Sequence, residues 1–273
     1  MSSASDTARA HRLRRGHRAG DAVVGSNDVV VERWEREPLL QRVEAHLREP
    51  RPVTAVAIGS VNIDHFTHFG RGRIELANDP ERTGVDWVML ADGAPVAYRA
   101  RLASGRPWPR LTGADLLPDL LASAQRTGAS VGFLGGQPQV HDSLRGVVAR
   151  DFPGVDCDFW APERHDIDSP SGSTQIAAQI RARGVDVLAV ALGKPRQELW
   201  IQRYGRLTGA RVLLAFGASA DFLAGKVDRA PEWMRNNGLE WAYRLRQEPR
   251  RLARRYLVEG PPALTRIVRA REL

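Results

Sequence analysis

The sequence has a single cysteine and no long apolar segment, and each absence excludes a class of protein. Cys157 alone cannot form an internal disulfide, so we expect a chain of the reducing cytoplasm without a cysteine-based zinc site. No apolar run reaches the roughly 18–20 residues that span a bilayer. Residues 1–20 are basic but contain no apolar core, so we expect no secretory signal there. These absences predict a cytoplasmic protein without a membrane-spanning helix.

Several common catalytic and binding motifs are also missing. The seven histidines show no spacing typical of a metal site, so the sequence predicts no metal ion. No Gly-x-Gly-x-x-Gly follows the first apolar strand, which argues against the alternative of a nicotinamide-dependent oxidoreductase. There is no P-loop and no Gly-x-Ser-x-Gly nucleophile motif. The sequence therefore predicts no bound cofactor.

Positive charge is concentrated at the two ends of the chain. Residues 1–20 contain five Arg and one Asp, and residues 226–273 contain eleven Arg, one Lys and six acidic residues. Because the whole chain has a net charge of +8, residues 21–225 carry −2. A nucleic-acid-binding domain usually carries its positive charge on the fold itself, so we predict no nucleic-acid partner. Basic ends on a nearly neutral core suit an anionic membrane surface, although for residues 1–20 the composition favours a solvated, disordered tail.

Short apolar runs that end in glycine alternate with helical patterns in residues 21–225. The runs 53–59 and 86–93 predict buried strands, and 39–49 has the apolar spacing of an amphipathic helix. This alternation is typical of an α/β protein whose parallel sheet is covered by helices on both faces. We therefore divide the chain into a disordered basic tail (1–20), an α/β core (21–225) and a basic helical appendage (226–273).

Residues with possible chemistry follow the predicted strands, and ligands of such a sheet bind outside the carboxyl ends of its strands. Asp92 is open to two interpretations, a general base or an ordinary Asp-Gly turn, and the local sequence favours the turn. Gly135 and Gly136 lie between a strand and a helix, where they predict either a phosphate contact or a tight turn. Gln197 and Glu198 lie in the first turn of a helix, where capping explains them unless Gln197 faces a ligand.

The segment Arg229–Tyr256 combines many arginines with four aromatic side chains. Planar guanidinium groups bind phosphates, so the segment predicts a cover over a phosphate site or a contact with a membrane. An Arg-rich helix pair that packs on the core through its aromatics is the alternative. Pro249 predicts the end of one helix, and Pro261 with Pro262 predicts the end of the next.

Seven blocks of the sequence, in this order, resemble the WecG/TagA/CpsF family of glycosyltransferases over about residues 30–260. The blocks are DWVMLADG, RLTGADLLPDLL, GFLGGQPQV, FPGVD, LAVALGKPRQELWI, GASADFLAGKVDRAPEW and GLEWAYRLRQEPRRLARRY. The last two blocks are the most specific, because they do not follow any general structural pattern.

This resemblance implies a Rossmann-like core and an inverting, metal-independent glycosyl transfer. The donor would be a UDP-sugar, often UDP-N-acetylmannosamine or its uronic acid, and the acceptor a sugar on a polyprenyl diphosphate. The products would feed the synthesis of cell-surface polysaccharides. The appendage would close over the site and bind the inner face of the plasma membrane. The exact donor, the acceptor and the oligomeric state, including a possible homo-oligomer, stay open.

The resemblance also assigns roles to single residues. Asp92 matches the proposed catalytic base, and Asn62 matches an active-site Asn. Ser60 stands where the family usually has Thr, and it keeps the hydroxyl group. Arg110 and Gln197 match residues that line the pocket. The arginines expected at the diphosphate of donor or acceptor are Arg229, Arg244, Arg250 and Arg254. The strand-end residues Gly135, Gly136 and Glu198 complete the predicted substrate site.

Overall fold

The computed structural model describes residues 23–26, 28–50, 54–77, 79–268 and 271–272. The predicted basic tail, residues 1–20, lies outside them. The strands are β1 (Val23–Ser26), β2 (Val29–Glu32), β3 (Ala55–Val61), β4 (Val85–Ala91), β5 (Val131–Gly135), β6 (Cys157–Trp160), β7 (Val187–Ala191), β8 (Val212–Ala215) and β9 (Arg271–Glu272). The helices before the appendage are α1 (Arg36–Arg48), α2 (Ile63–His68), α3 (Pro80–Thr83), α4 (Ala94–Ser104), α5 (Gly113–Thr127), α6 (Pro138–Asp151), α7 (Arg164–Asp168), α8 (Pro170–Arg183), α9 (Arg196–Thr208) and α10 (Ser219–Leu223).

Within the described residues, nine strands form one sheet in the order β6-β5-β7-β8-β3-β4-β2-β1-β9. The seven strands from β6 to β2 are parallel, whereas β1 pairs antiparallel with both β2 and β9 at one edge. The α/β class and the parallel sheet that the sequence predicts are confirmed. The short strands β1, β2 and β6 and the helix α4 are additional elements that the sequence analysis did not predict.

Apolar side chains on the two faces of the sheet form two core clusters. Ala57 and Val61 of β3 face one cluster, which α4, α8 and α9 cover. Val56 and Ile58 face the other cluster, which α1, α5 and α6 cover. Successive side chains of a strand point to opposite faces of the sheet. The sequence of a strand that is buried on both faces is therefore a continuous apolar run. Helices therefore cover both faces, as the sequence predicts.

The residues after the core form a helical appendage, also as predicted. Its helices are α11 (Glu232–Asn236), α12 (Glu240–Gln247), α13 (Pro249–Ala253), a π-helical turn (Arg254–Glu259) and α14 (Gly260–Ile267). Ala263 and Ile267 of α14 join the core cluster that includes Phe66. None of the helices in the described part of the chain is long and apolar enough to cross a bilayer.

The prolines at 261 and 262 do not end a helix, and the prediction that they do is wrong. They lie in the first turn of α14, where a backbone N–H has no intrahelical partner to lose. The π turn directly before them changes the hydrogen-bond register. Pro249, in contrast, does separate two helices, α12 and α13, as predicted.

Candidate active site

A cavity of about 690 Å³ lies over the carboxyl ends of four neighbouring strands, β7, β8, β3 and β4. The appendage forms its other wall through side chains of α12, the π turn and α14. This volume is in the range of small-molecule sites. Of the predicted site residues, those that line it are Ser60, Asn62, Asp92, Arg110, Gln197 and Arg244.

Asp92 and Asn62 meet on the floor of this cavity. Asn62 caps α2: its Oδ1 accepts a hydrogen bond from the backbone N–H of His65, at 3.2 Å. Its Nδ2 donates to Oδ2 of Asp92, also at 3.2 Å. A Cβ on Gly93 would lie 3.3 Å from the Cα and the Cβ of Asn62, so glycine lets the two loops approach. The helix cap therefore holds the Asp92 carboxylate in a defined orientation.

The environment of Asp92 shifts its proton affinity in both directions. Burial is the largest influence and raises the pKa of the carboxyl above its ordinary value, and the nearby charge of Glu240 raises it further. Lys194, the hydrogen bond from Asn62 and Arg110 act in the opposite sense. The net result is a raised pKa, which makes the carboxylate a stronger base than an exposed aspartate.

Lys194 is a site residue that the sequence analysis missed. Its side chain is 7% exposed and lines the cavity, and Nζ donates to the backbone oxygen of Ser60 at 2.7 Å and to Oε1 of Glu198 at 2.5 Å. Nζ also lies 3.4 Å from Nδ1 of His65. Burial and the charge of Lys194 lower the pKa of His65 well below its ordinary value, so His65 is neutral. The only signal in the sequence was the position of Lys194 at the end of a strand.

Gln197 and Glu198 are adjacent but differ in their relation to the cavity. Nε2 of Gln197 donates to the backbone oxygen of Ala215 at 2.9 Å and to Oε1 of Glu198 at 3.2 Å. Oε1 of Gln197 is buried and has no partner among the described residues. Glu198 is fully buried and does not line the cavity. It contacts Lys194 and Gln197 instead, so the structure places it behind the predicted site.

Arginines from the core and the appendage supply positive charge to the cavity. Nη1 of Arg110 lies 3.4 Å from Oε2 of Glu240 on α12, which links core and appendage. Arg255, which the sequence analysis did not select, lines the cavity and pairs with Asp64 at 3.2 Å. Arg244 lies over the ring of Phe222, 5.1 Å from its centroid. No carboxylate pairs with Arg244 among the described residues, and its Nε is buried without a hydrogen-bond partner.

Other predicted residues lie outside the cavity. Arg229 stands behind the wall, where Nη2 donates to Oδ1 of Asp115 at 2.9 Å. Arg250 is exposed, and Arg254 is exposed and paired with Glu259. Gly135 is the last residue of β5 and Gly136 follows it, and β5 lies one strand beyond β7. The structure does not bring this group of residues to the cavity.

Two other carboxylates that line the cavity, Asp64 and Glu240, are already paired with arginines. Asp64 contacts His68 at 3.6 Å in addition to Arg255. Burial opposes its ionisation, but His68 and Arg255 together hold the pKa of Asp64 below its ordinary value. In the described ranges no three His, Cys, Asp or Glu side chains come together in a way that could hold a metal ion. Asp92 thus differs from Asp64 in its raised pKa, and no arginine of the described residues pairs with it at contact distance.

The sequence is similar to known glycosyltransferases. Residues 25–272 match the model of the Glycosyl transferase WecG/TagA/CpsF family. A protein of Bacillus subtilis (strain 168) is 31% identical over 170 residues, which are 61% of this chain and 63% of that protein. A protein of Bacillus spizizenii is 32% identical over 166 residues, with the same two shares. Each is named N-acetylglucosaminyldiphosphoundecaprenol N-acetyl-beta-D-mannosaminyltransferase, and the match spans less than two thirds of each.

Proposed function

We propose that this chain, which belongs to the Glycosyl transferase WecG/TagA/CpsF family, moves a sugar from a UDP-sugar to a sugar on a polyprenyl diphosphate. The donor sugar is of the N-acetylmannosamine type, and the product enters the synthesis of a cell-surface polysaccharide. The names of the two Bacillus relatives support this choice of acceptor and transferred sugar. The observation that carries the proposal is the Asp92 carboxylate, oriented by Asn62 on the floor of a cavity with an arginine wall.

The proposed reaction is a single displacement with inversion. The acceptor hydroxyl oxygen attacks the anomeric carbon, and Asp92 takes the hydroxyl proton. A new carbon–oxygen bond forms on one face of the sugar while the bond to the diphosphate oxygen breaks on the other. UDP leaves with the bonding electron pair, and inversion follows from this geometry.

Negative charge that develops on the leaving diphosphate needs a positive counterpart. Arg244 is suited to this role because it lines the cavity and has no carboxylate partner among the described residues. Arg110 and Arg255 add charge, although Glu240 and Asp64 partly neutralise them. Preorganised cations of this kind stabilise developing charge without reorganisation, so we propose that the reaction does not require a metal ion. Arg229, Arg250 and Arg254 stay candidates for contacts with the longer acceptor.

The experiment that tests the function is acceptor-dependent release of UDP. A panel of UDP-sugars is incubated with a short-chain prenyl-diphosphate-linked N-acetylglucosamine, in EDTA and in Mg²⁺. We expect release from an N-acetylmannosamine-type donor, only when the acceptor is present and at equal rates in both buffers. Release that needs no acceptor, or no release alongside no UDP binding by calorimetry, contradicts the proposal.

We further propose that the appendage binds the inner face of the plasma membrane. Large apolar side chains concentrate there, with Leu257, Val258 and Val268 each more than 60% exposed. Arg254 and Arg250 are exposed in the same part of the chain. Exposed apolar residues interleaved with arginines are typical of segments that lie in the interface of an anionic bilayer.

Replacing Leu257 and Val258 together by serine is expected to weaken binding to vesicles of phosphatidylglycerol. Each large apolar side chain contributes about 1.5–3 kcal/mol when it is fully buried, so the partition constant should fall about tenfold or more. Vesicle sedimentation measures this. The matched control is Leu207→Ser, because Leu207 is also exposed but lies at the far end of α9, away from the strands' carboxyl ends. Equal binding by the double variant and the wild type contradicts the membrane assignment.

A further inference from the structure

A buried ion pair lies at the edge of the cavity, where Lys194 lines it and Glu198 lies behind, and the mechanism above does not use this pair. Lys194 and Glu198 are four residues apart at the start of α9, and their side chains are 7% and 0% exposed. Replacing a buried ion pair by apolar residues is often neutral or stabilising, because desolvation of both charges opposes their attraction. Stability alone therefore does not explain why two charges stand at this position.

The hydrogen bonds of Lys194 show that it acts through other protein groups. An ammonium group has three N–H donors, and three acceptors surround this one: the Ser60 carbonyl, Oε1 of Glu198 and Nδ1 of the neutral His65. No donor is left for a substrate. The bond to Ser60 fixes the end of β3, two residues before Asn62, and it joins this strand to the loop after β7.

Glu198 pairs with Lys194 and also makes a second interaction in the same network. Its Oε1 also accepts a hydrogen bond from Nε2 of Gln197, whose other Nε2 hydrogen goes to the carbonyl of Ala215. With both hydrogens used, Oε1 of Gln197 points towards Gly217, where a Cβ would lie only 2.7 Å away. The Gln197 oxygen is thereby held at the cavity wall as an acceptor that has no partner among the described residues.

We propose that Lys194 and Glu198 form a positioning pair for the transfer reaction, in which Lys194 supplies the charge that balances the Asp92 carboxylate and Glu198 orients the Gln197 amide. This inference rests on the proposed role of Asp92 as the base. Neither residue of the pair touches the substrate.

The electrostatic surroundings of Asp92 support this assignment. Burial raises the pKa of Asp92, and of the surrounding side chains Lys194 opposes this most strongly. The others are Glu240 of α12, which raises the pKa, and Asn62 and Arg110, which lower it. A base must be deprotonated when the substrate arrives, so Lys194 keeps Asp92 active at a lower pH than burial alone would allow.

The test removes the charge of Lys194 in two variants, and the double variant also leaves no unpaired charge of this pair in the interior. Lys194→Gln combined with Glu198→Gln keeps hydrogen-bonding groups at both positions but removes both charges, and Lys194→Met is made alongside it. We expect the pKa of Asp92 to rise in both variants. The acid limb of kcat/KM against pH should then move to higher pH. On that limb, activity at a fixed pH should fall about tenfold for every pH unit by which the limb moves.

One readout, with a control variant, separates this inference from the proposed function. Carbon-13 NMR of the aspartate carboxyls, assigned by comparison with Asp92→Asn, follows the titration of Asp92 without any turnover. Arg42→Met is the control, because it breaks the 3.0 Å ion pair with Asp86 at the other end of β4 and should leave the titration unchanged. If NMR shows that the Asp92 titration moves to higher pH in the variants but the wild type has no transferase activity, the proposed function is contradicted. The inference about Lys194 and Glu198 is not contradicted by that result.

A folded double variant whose Asp92 titration does not move upward overturns the inference. A fall in kcat/KM without any change in its pH profile has the same consequence, because a merely structural pair predicts that result. Failure of both variants to fold assigns the pair to the stability of the protein and likewise overturns it.

Discussion

Asp92→Asn is expected to reduce kcat of the glycosyl transfer by roughly 10²–10⁴-fold, the usual contribution of a positioned general base. This corresponds to about 3–5 kcal/mol of transition-state stabilisation. Asparagine has the same shape and its oxygen can still accept the hydrogen bond from Asn62, but it cannot take a proton. Because burial already disfavours the ionised carboxylate, the neutral side chain should fit without loss of stability. Release of UDP under saturating donor and acceptor measures the effect.

Three further measurements distinguish a catalytic loss from a damaged site. Thermal unfolding and UDP binding by calorimetry should match the wild type. Asp64→Asn is the matched control, because Asp64 also lines the cavity but its carboxylate is already paired with Arg255 and His68. We expect a clearly smaller loss of kcat in that variant. Equal losses in the two variants would mean that the charge of the cavity matters more than a base at position 92.

The strands of the core were predictable because each carries its own local signal. The runs that predict β3 and β4 are apolar, short and followed by glycine or a small residue, and the observed strands are Ala55–Val61 and Val85–Ala91. The order of the strands has no such local signal, since it depends on packing between distant segments. This order decides that the loops after β7, β8, β3 and β4 share one cavity, whereas Gly135, the last residue of β5, lies outside it.

Lys194 and Glu198 show why part of the site could not be predicted. In the sequence Glu198 belongs to an ordinary helix start, where the helix dipole explains a glutamate well enough, and Lys194 lies in the loop before that helix. The role of Lys194 depends on Ser60, which is 134 residues away along the chain and 2.7 Å away in space. For the same reason the sequence analysis selected Arg254 and missed Arg255. The π turn sets the helical phase, and this phase decides which of the two arginines faces the cavity.

Arg244→Ala is expected to lower kcat by roughly 10²–10³-fold, the loss typical of removing one preorganised group that stabilises developing negative charge. Arg244 lines the cavity, its Nε is buried without a partner among the described residues, and it lies against the ring of Phe222 rather than a carboxylate. Its charge is therefore available to the departing diphosphate, whereas Arg110 and Arg255 are each paired with an acidic side chain. Because charge on the leaving group grows during the reaction, kcat should fall more than affinity for the donor.

The same helix offers a matched control for this prediction. Arg246 lies two residues further along α12, is exposed and does not line the cavity, so Arg246→Ala removes an equal charge without touching the site. With a short, soluble acceptor, membrane binding does not enter the assay, and Arg246→Ala should behave like the wild type. Arg244→Lys separates charge from geometry: an ammonium restores the charge but not the planar fork, so only part of the rate should return. Equal activity of the two alanine variants would remove Arg244 from the mechanism. Arg110 and Arg255 would then have to stabilise the charge of the leaving group, after release from their carboxylate partners.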